Sequence, residues 1–121
     1  MKKIAVVTAT RAEYGLLSPL IRRIDEDRTL ELDLIVTGTH LSDKYGNTID
    51  DIKKDGFLIA HKIFILEEDN TSYGVSLTIA NTIRGFADCF QQDRPDMVLI
   101  LADCMKSINE LLVIAARFGG L

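Results

Sequence analysis

Residues 4–15 read IAVVTATRAEYG, and this stretch decides the fold. Ile4 to Val7 form an apolar, β-branched run without alternation, which is typical of a strand buried on both faces of a parallel sheet. A helical pattern follows, with apolar residues at Tyr14, Leu17, Leu20, Ile21 and Ile24. A strand that enters a helix through a polar turn directs backbone N–H groups and the positive end of the helix dipole toward the carboxyl edge of the sheet. The stretch therefore predicts an α/β fold with an anion site at its first turn.

Three further strand-like segments alternate with helical ones. The strands are predicted at Glu31–Gly38, Phe57–Leu66 and Met97–Ala102, and the last of them is the most apolar and is expected to be central. Helices are predicted from Thr48 or Asn47 to Gly56, from about Ser72 to about Gln92, and from about Lys106 to Phe118. This alternation predicts a single domain over residues 1–121, a three-layer, Rossmann-like, doubly wound parallel sheet of about four strands in the order 3-2-1-4.

The long helix is predicted to bury one apolar stripe against this sheet. Its members recur at helical spacing and are Val75, Ile79, Ile83, Phe86, Ala87 and Phe90.

The composition limits the function classes. Of the 121 residues 47% are hydrophobic and 26% are charged, which is typical of a globular domain. The net charge of −4 argues against a nucleic-acid partner. No apolar run approaches the roughly 20 residues of a membrane span, and no signal peptide follows the N-terminus. Cys89 and Cys104 match no metal or redox spacing. We therefore expect a cytoplasmic protein with reduced thiols, without a metal site or a bound cofactor, and without a membrane partner.

Three residues are candidates for chemistry. Arg11, in the first turn, presents a planar cation suited to phosphate oxygens, or else it is a solvated arginine at a helix start. Asp103 follows the fourth strand, where partial burial tunes a carboxyl group for acid or base work, although a helix N-cap is an equal alternative. His40 follows the second strand and either contacts a ligand or is simply exposed. With the strand order 3-2-1-4, Arg11 and Asp103 would face one crevice.

Two separated motifs resemble one enzyme family. The turn Thr8-Ala9-Thr10-Arg11-Ala12-Glu13-Tyr14-Gly15 resembles the first β–α turn of the hydrolysing UDP-N-acetylglucosamine 2-epimerases of sialic-acid biosynthesis. The segments Val36-Thr37-Gly38-Thr39-His40-Leu41 and Tyr45-Gly46-Asn47-Thr48-Ile49 resemble its second signature, and Leu99-Ile100-Leu101-Ala102-Asp103 is similar to its fourth strand.

The resemblance implies the N-terminal half of a glycosyltransferase-B-like fold that holds a UDP-sugar between two domains. The implied reaction converts UDP-N-acetylglucosamine into N-acetylmannosamine and UDP, by proton abstraction at C2, elimination of UDP to a glycal, and addition of water. It also implies that Asp103 is an acid/base carboxylate. The implied UDP contacts are Arg11, Thr10, Tyr14 and Gly15, with His40 as a further substrate contact.

The sequence departs from the family pattern after the fourth strand. Cys104 stands where the family has an arginine, and Ala102 stands where it has a glycine. The chain stops at Leu121, before the family's His-x-Gly-Gly-Glu-type segment and its second domain. We therefore expect an incomplete N-terminal domain that is inactive by itself. Its uncovered sheet edge and apolar surface favour a homo-oligomer.

Two other functions remain open. One is the same chemistry on a related sugar, UDP-diacetamidobacillosamine. The other is a non-catalytic module that binds a nucleotide sugar or assembles with a partner.

Overall fold

The computed structural model describes residues 1–42, 46, 48–67 and 71–101. In these residues four parallel strands form one sheet in the order β3-β2-β1-β4. The strands are β1 (Lys2–Thr8), β2 (Leu30–Thr37), β3 (Ile59–Ile63) and β4 (Met97–Leu99). The predicted parallel sheet and its strand order are confirmed.

Helices cover both faces of the sheet. They are α1 (Arg11–Glu26), α2 (Ile49–Lys54) and α3 (Ser72–Gln92), and a short 3₁₀ turn spans Gly38–Leu41. Helices α1 and α2 pack on the face that carries Ile4, Val6 and Leu34. Helix α3 packs on the opposite face, against Ala5 and Val7. This is the predicted three-layer architecture, because successive side chains of a buried strand point to opposite layers.

The third and fourth strands are shorter than predicted. β3 spans Ile59–Ile63, and the apolar residues on either side of it, Leu58 and Phe64, are exposed. β4 pairs with β1 through three residues, with Ala5 opposite Val98 and Val6 opposite Leu99. In the part of the chain that the structure describes, β4 is an edge strand rather than a central one, because β1 and β2 are the strands with a neighbour on each side. The predicted last helix lies outside the described residues.

Of the predicted buried stripe of α3, Phe86 and Phe90 are confirmed and the other four residues are wrong. These four residues are exposed: Val75, Ile79, Ile83 and Ala87. The helix instead buries a neighbouring row of residues against the sheet: Gly74, Thr82, Phe86, Cys89 and Phe90. The two rows share Phe86 and Phe90, and the observed row departs from the predicted one on the side of Gly74, Thr82 and Cys89. Thr82 enters the core because its hydroxyl donates to the Thr78 carbonyl oxygen at 2.8 Å, so its polar group is satisfied within the helix.

No helix in the described ranges combines the length and the apolar character that crossing a membrane requires.

Candidate functional site

The first β–α turn is stabilised by a side-chain cap at Thr10. Thr10 is the N-cap of α1, and its Oγ1 accepts a hydrogen bond from the Glu13 backbone N–H at 3.2 Å. The Glu13 side chain turns back toward the cap and accepts from the Thr10 hydroxyl at 3.3 Å. The Tyr14 N–H bonds to the Thr10 carbonyl oxygen. The helix start is therefore well ordered, with the exposed residues Arg11 and Ala12 at its first two positions.

The end of β2 lies directly against this turn. The Thr39 hydroxyl donates to the Ala9 carbonyl oxygen at 3.0 Å, and the His40 N–H reaches the same oxygen at 3.4 Å. Gly38 has φ of +63°, and a Cβ there would lie 2.8 Å from the Ala9 oxygen. This close approach requires glycine, because a side chain would be strained in φ and would clash. The two turns thus form one rigid rim at the carboxyl edge.

Arg11 presents its cation to solvent at this rim. Its side chain is 72% exposed, and its Nε donates to Asp51 Oδ2 at 2.9 Å. The two terminal guanidinium nitrogens have no protein partner among the described residues. An exposed ion pair of this kind contributes little to stability, so a phosphate can compete for the guanidinium.

Tyr14 and Gly15 have different environments. Tyr14 is buried, and its hydroxyl donates to an Asp55 carboxylate oxygen, which ties α1 to the end of α2. Burial and the Asp55 carboxylate raise the pKa of Tyr14 well above its ordinary value, so its hydroxyl stays protonated. Gly15 is exposed on the helix surface, with open space where a Cβ would lie.

His40 is fully buried, so the interpretation of an exposed loop histidine is wrong. Its Nε2 lies 2.9 Å from Thr8 Oγ1, and its Nδ1 lies 2.8 Å from Thr48 Oγ1. Thr48 occupies the N-cap position of α2 but makes no side-chain cap, because its hydroxyl is engaged by the imidazole. Burial lowers the pKa of His40 from 6.5 to about 4, so the ring is neutral and joins β1 to α2.

The structure brings several predicted residues to one surface. Arg11, Tyr14 and Gly15 line an open groove of about 830 Å³ between α1 and α2, together with Asp51 and Asp55. Thr10 and His40 do not line this groove, and their hydrogen bonds hold the rim in place. Asp103 lies outside the described residues. β4 runs parallel to β1 and beside it, so the chain leaves both strands at the same edge of the sheet.

Sequence reasoning missed the buried carboxylate of Glu13 and the partners Asp51 and Asp55. The pattern Thr10-x-x-Glu13 is a capping-box signature and was sufficient to predict the role of Glu13. The α2 carboxylates had no such signal, because their partners lie about 40 residues earlier and meet them only through packing.

A parallel α/β sheet whose first strand opens into a capped helix at the carboxyl edge defines a Rossmann-like domain. The family model described as UDP-N-acetylglucosamine 2-epimerase matches residues 22–117. The chain belongs to this family.

Curated relatives agree with the match. The chain is 40% identical over 108 residues to the GDP/UDP-N,N'-diacetylbacillosamine 2-epimerase (hydrolyzing) of Campylobacter jejuni. It is 36% identical over 103 residues to the UDP-N,N'-diacetylbacillosamine 2-epimerase (hydrolyzing) of Legionella pneumophila. A UDP-N-acetylglucosamine 2-epimerase of Neisseria meningitidis is 31% identical over 108 residues. These alignments cover 85–89% of this chain but only 27–28% of the relatives.

Solved structures of the family share the fold. The UDP-GlcNAc 2-epimerase of Neisseria meningitidis bound to UDP-GlcNAc superposes with a TM-score of 0.77 at 18% identity, over 96% of this chain and 29% of that one. The S. aureus MnaA–UDP structure superposes with a TM-score of 0.77 at 24% identity, over 100% of this chain and 29% of that one. The predicted likeness to half of a glycosyltransferase-B-like fold is confirmed.

Proposed function

We propose that this chain is the N-terminal part of a hydrolysing UDP-sugar 2-epimerase and that its carboxyl edge binds the diphosphate of the substrate. The observation that carries the proposal is the exposed Arg11 guanidinium at the start of α1, on a rim fixed by Thr10, Gly38 and His40. A helix N-terminus and a planar cation act together on an anion, through the dipole and through charged hydrogen bonds.

The proposed chemistry needs a cation at this position. Elimination of UDP places growing negative charge on the departing diphosphate, and a preorganised cation lowers the energy of that transition state. Arg11 has this role in the proposal, while Thr10 and Gly15 contact UDP along the helix start. Tyr14 supports the groove through its Asp55 hydrogen bond, and its predicted UDP contact remains a prediction. Asp103 as an acid/base carboxylate also remains a prediction.

His40 acts as a positioning residue in this scheme. Both of its ring nitrogens are engaged by threonine hydroxyls, and its ring is buried. It therefore fixes the rim rather than exchanging protons with a substrate, and its predicted substrate contact requires a rearrangement of this pair of hydrogen bonds.

The identity of the sugar in the UDP-sugar substrate is the more specific part of the proposal. The two diacetylbacillosamine 2-epimerases are 36% and 40% identical to this chain, whereas the Neisseria meningitidis UDP-N-acetylglucosamine enzyme is 31% identical. The names of these relatives make UDP-diacetylbacillosamine a second candidate beside UDP-N-acetylglucosamine. We also propose a cytoplasmic location and a homo-oligomeric state.

The test is calorimetric titration of UDP into the 121-residue chain and into two arginine variants. We expect Arg11→Ala to weaken UDP binding at least several-fold, because a charged hydrogen bond contributes roughly 1.5–3 kcal/mol. Arg28→Ala is the matched control, since Arg28 is exposed between α1 and β2, away from the rim, and carries the same charge. Unchanged affinity in Arg11→Ala removes Arg11 from the site, and a folded chain that binds no UDP overturns the proposal.

A second assay separates the enzyme from a non-catalytic module. UDP release is measured from UDP-N-acetylglucosamine and from UDP-diacetylbacillosamine. We expect no turnover by the isolated chain, since it spans about 28% of its relatives' length. Turnover that Asp103→Asn abolishes would contradict this expectation and would identify the sugar at the same time.

A further inference from the structure

A second group of polar side chains lies on the α3 face of the sheet, beside the C-terminal end of α3. We call Asp33, His61 and Asp93 the amino-edge cluster. Asp33 is in β2 opposite Ala5, His61 is in β3 opposite Ile35, and Asp93 is the C-cap of α3. None of the three belongs to the rim that carries Arg11.

The three side chains converge on one point. His61 Nε2 lies 2.8 Å from Asp93 Oδ2 and 3.7 Å from Asp33 Oδ1. One ligand atom from each residue lies within 4.8 Å of the other two. Donors that share one tetrahedral Zn²⁺ at about 2.0–2.2 Å are separated by about 3.3–3.6 Å. Ion binding therefore requires the His61–Asp93 pair to move apart and the most distant pair of atoms to move closer.

Asp33 supplies an independent sign of a missing partner. Its side chain is only 5% exposed, and its Oδ2 has no hydrogen-bond partner in the described part of the chain. A buried carboxylate oxygen without a partner is costly, so it requires a proton or a cation.

The surroundings of the cluster carry two carboxylates and a helix end against one ammonium group, that of Lys3. Asp93 stands at the C-terminus of α3, where the helix dipole is negative. The Lys3 ammonium donates to Asp93 Oδ1, which leaves Oδ2 on the side of His61. The His61 and Asp93 side chains are each about one quarter exposed, so one side of the cluster is open to an entering ion and to water.

We propose that Asp33, His61 and Asp93 bind a divalent transition-metal ion, with Zn²⁺ as the best match. One imidazole and two carboxylates are a donor set that Zn²⁺ accepts, and water completes the coordination from the open side. The ion would join β2, β3 and the end of α3, away from the nucleotide rim, so it has a structural role. This proposal is independent of the proposed enzymatic function.

The test is calorimetric titration of ZnCl₂ into the chain after treatment with a chelator. We expect a single strong site, release of protons on binding, and a higher melting temperature with the ion. His61→Ala and Asp33→Asn are expected to weaken binding by more than about tenfold, because even the loss of residues behind the ligands commonly costs that much. Asp88→Asn is the matched control, since Asp88 is exposed on α3 five residues before Asp93.

Cobalt substitution provides a readout that does not depend on the variants. Co²⁺ bound to nitrogen and oxygen ligands gives visible d–d bands without the near-ultraviolet thiolate-to-cobalt band. Burial raises the pKa of the Cys89 thiol to about 12, which disfavours a thiolate ligand there.

Loss of Zn²⁺ binding in a Cys89→Ala, Cys104→Ala chain but not in His61→Ala would overturn the proposal. The absence of any Zn²⁺ or Co²⁺ site in the folded chain would also overturn it. Circular dichroism verifies folding, and His61→Gln replaces His61→Ala if the alanine variant unfolds.

Discussion

The two edges of the same sheet have opposite chemistry. At the carboxyl edge the structure places a helix start, hydroxyl groups and the exposed guanidinium of Arg11. At the amino edge it places a helix end, two carboxylates, an imidazole and the Lys3 ammonium. In a parallel α/β sheet the helices begin at one edge and end at the other, so their dipoles favour anions at the first and cations at the second. The comparison shows how one topology provides two unlike binding environments.

The edges also differ in how they are fixed. The carboxyl edge depends on backbone contacts and neutral groups, such as the approach of Gly38 to Ala9 and the threonine–His40 hydrogen bonds. The amino edge depends on charge balance, because Lys3 and His61 hydrogen bonds hold the pKa of Asp93 below its usual range beside the buried Asp33. The first edge is therefore expected to respond to steric changes, and the second to charge changes and ions.

The largest expected effect is that of Gly38→Ala on the carboxyl rim. The new Cβ would meet the Ala9 oxygen at 2.8 Å in a left-handed conformation, so we expect a loss of about 3 kcal/mol in the free energy of unfolding. Gly56→Ala is the control, because Gly56 has φ of +85° but open space around it. It should cost only about 1–2 kcal/mol. Urea denaturation measures both, and equal losses would mean that the close approach of the two turns is unimportant.

The next largest effect is a decrease in the free energy of unfolding at acidic pH, caused by protonation of His40. Its folded-state pKa is about 4, against 6.5 ordinarily, so the unfolded chain binds the proton first as the pH falls. The stability that the neutral ring contributes is complete above pH 6.5 and decreases by up to roughly 3 kcal/mol as the pH falls to about 4.

The measurement is the free energy of unfolding as a function of pH in the wild-type chain and in His40→Gln. The variant should show a flatter slope between pH 6.5 and 5, by up to about 1.4 kcal/mol per pH unit. Identical slopes would show that His40 is protonated as easily in the folded chain as in the unfolded one.

A smaller loss of stability is expected for two threonine variants, and comparing them distinguishes the contribution of Thr10 to helix capping from its contribution to UDP binding. Thr10 and Thr71 each cap a helix through the side-chain oxygen, at the Glu13 and Gly74 amides respectively. Thr10→Ala and Thr71→Ala should each cost about 1 kcal/mol of stability. Only Thr10→Ala should also weaken UDP binding, because only Thr10 belongs to the rim. A loss of UDP affinity in both variants would indicate a general effect of destabilisation, and calorimetry beside urea denaturation distinguishes the two results.

The smallest expected effect is that of Arg11→Ala on stability. The Arg11–Asp51 pair is exposed at the surface, so its removal should change the free energy of unfolding by less than about 0.5 kcal/mol. The same variant should weaken UDP binding at least several-fold. A large loss of stability would instead make Arg11 a structural residue and would weaken the proposed nucleotide site.

The sequence by itself determined the alternation of strands and helices, which is local because it follows from the periodicity of apolar residues. The strand order followed from this alternation and from the way that parallel strands are connected in doubly wound sheets. The family membership followed from the same local motifs.

Only the tertiary structure decided the burial of His40, the face that α3 turns to the sheet, and the amino-edge cluster. His61 and Asp93 are 32 residues apart, and His40 and Thr8 are also 32 apart. Strand register and helix rotation bring such pairs together, and neither is encoded in the spacing along the chain. The sequence therefore predicted the edge at which Arg11 lies, whereas packing selected the side chains that surround it.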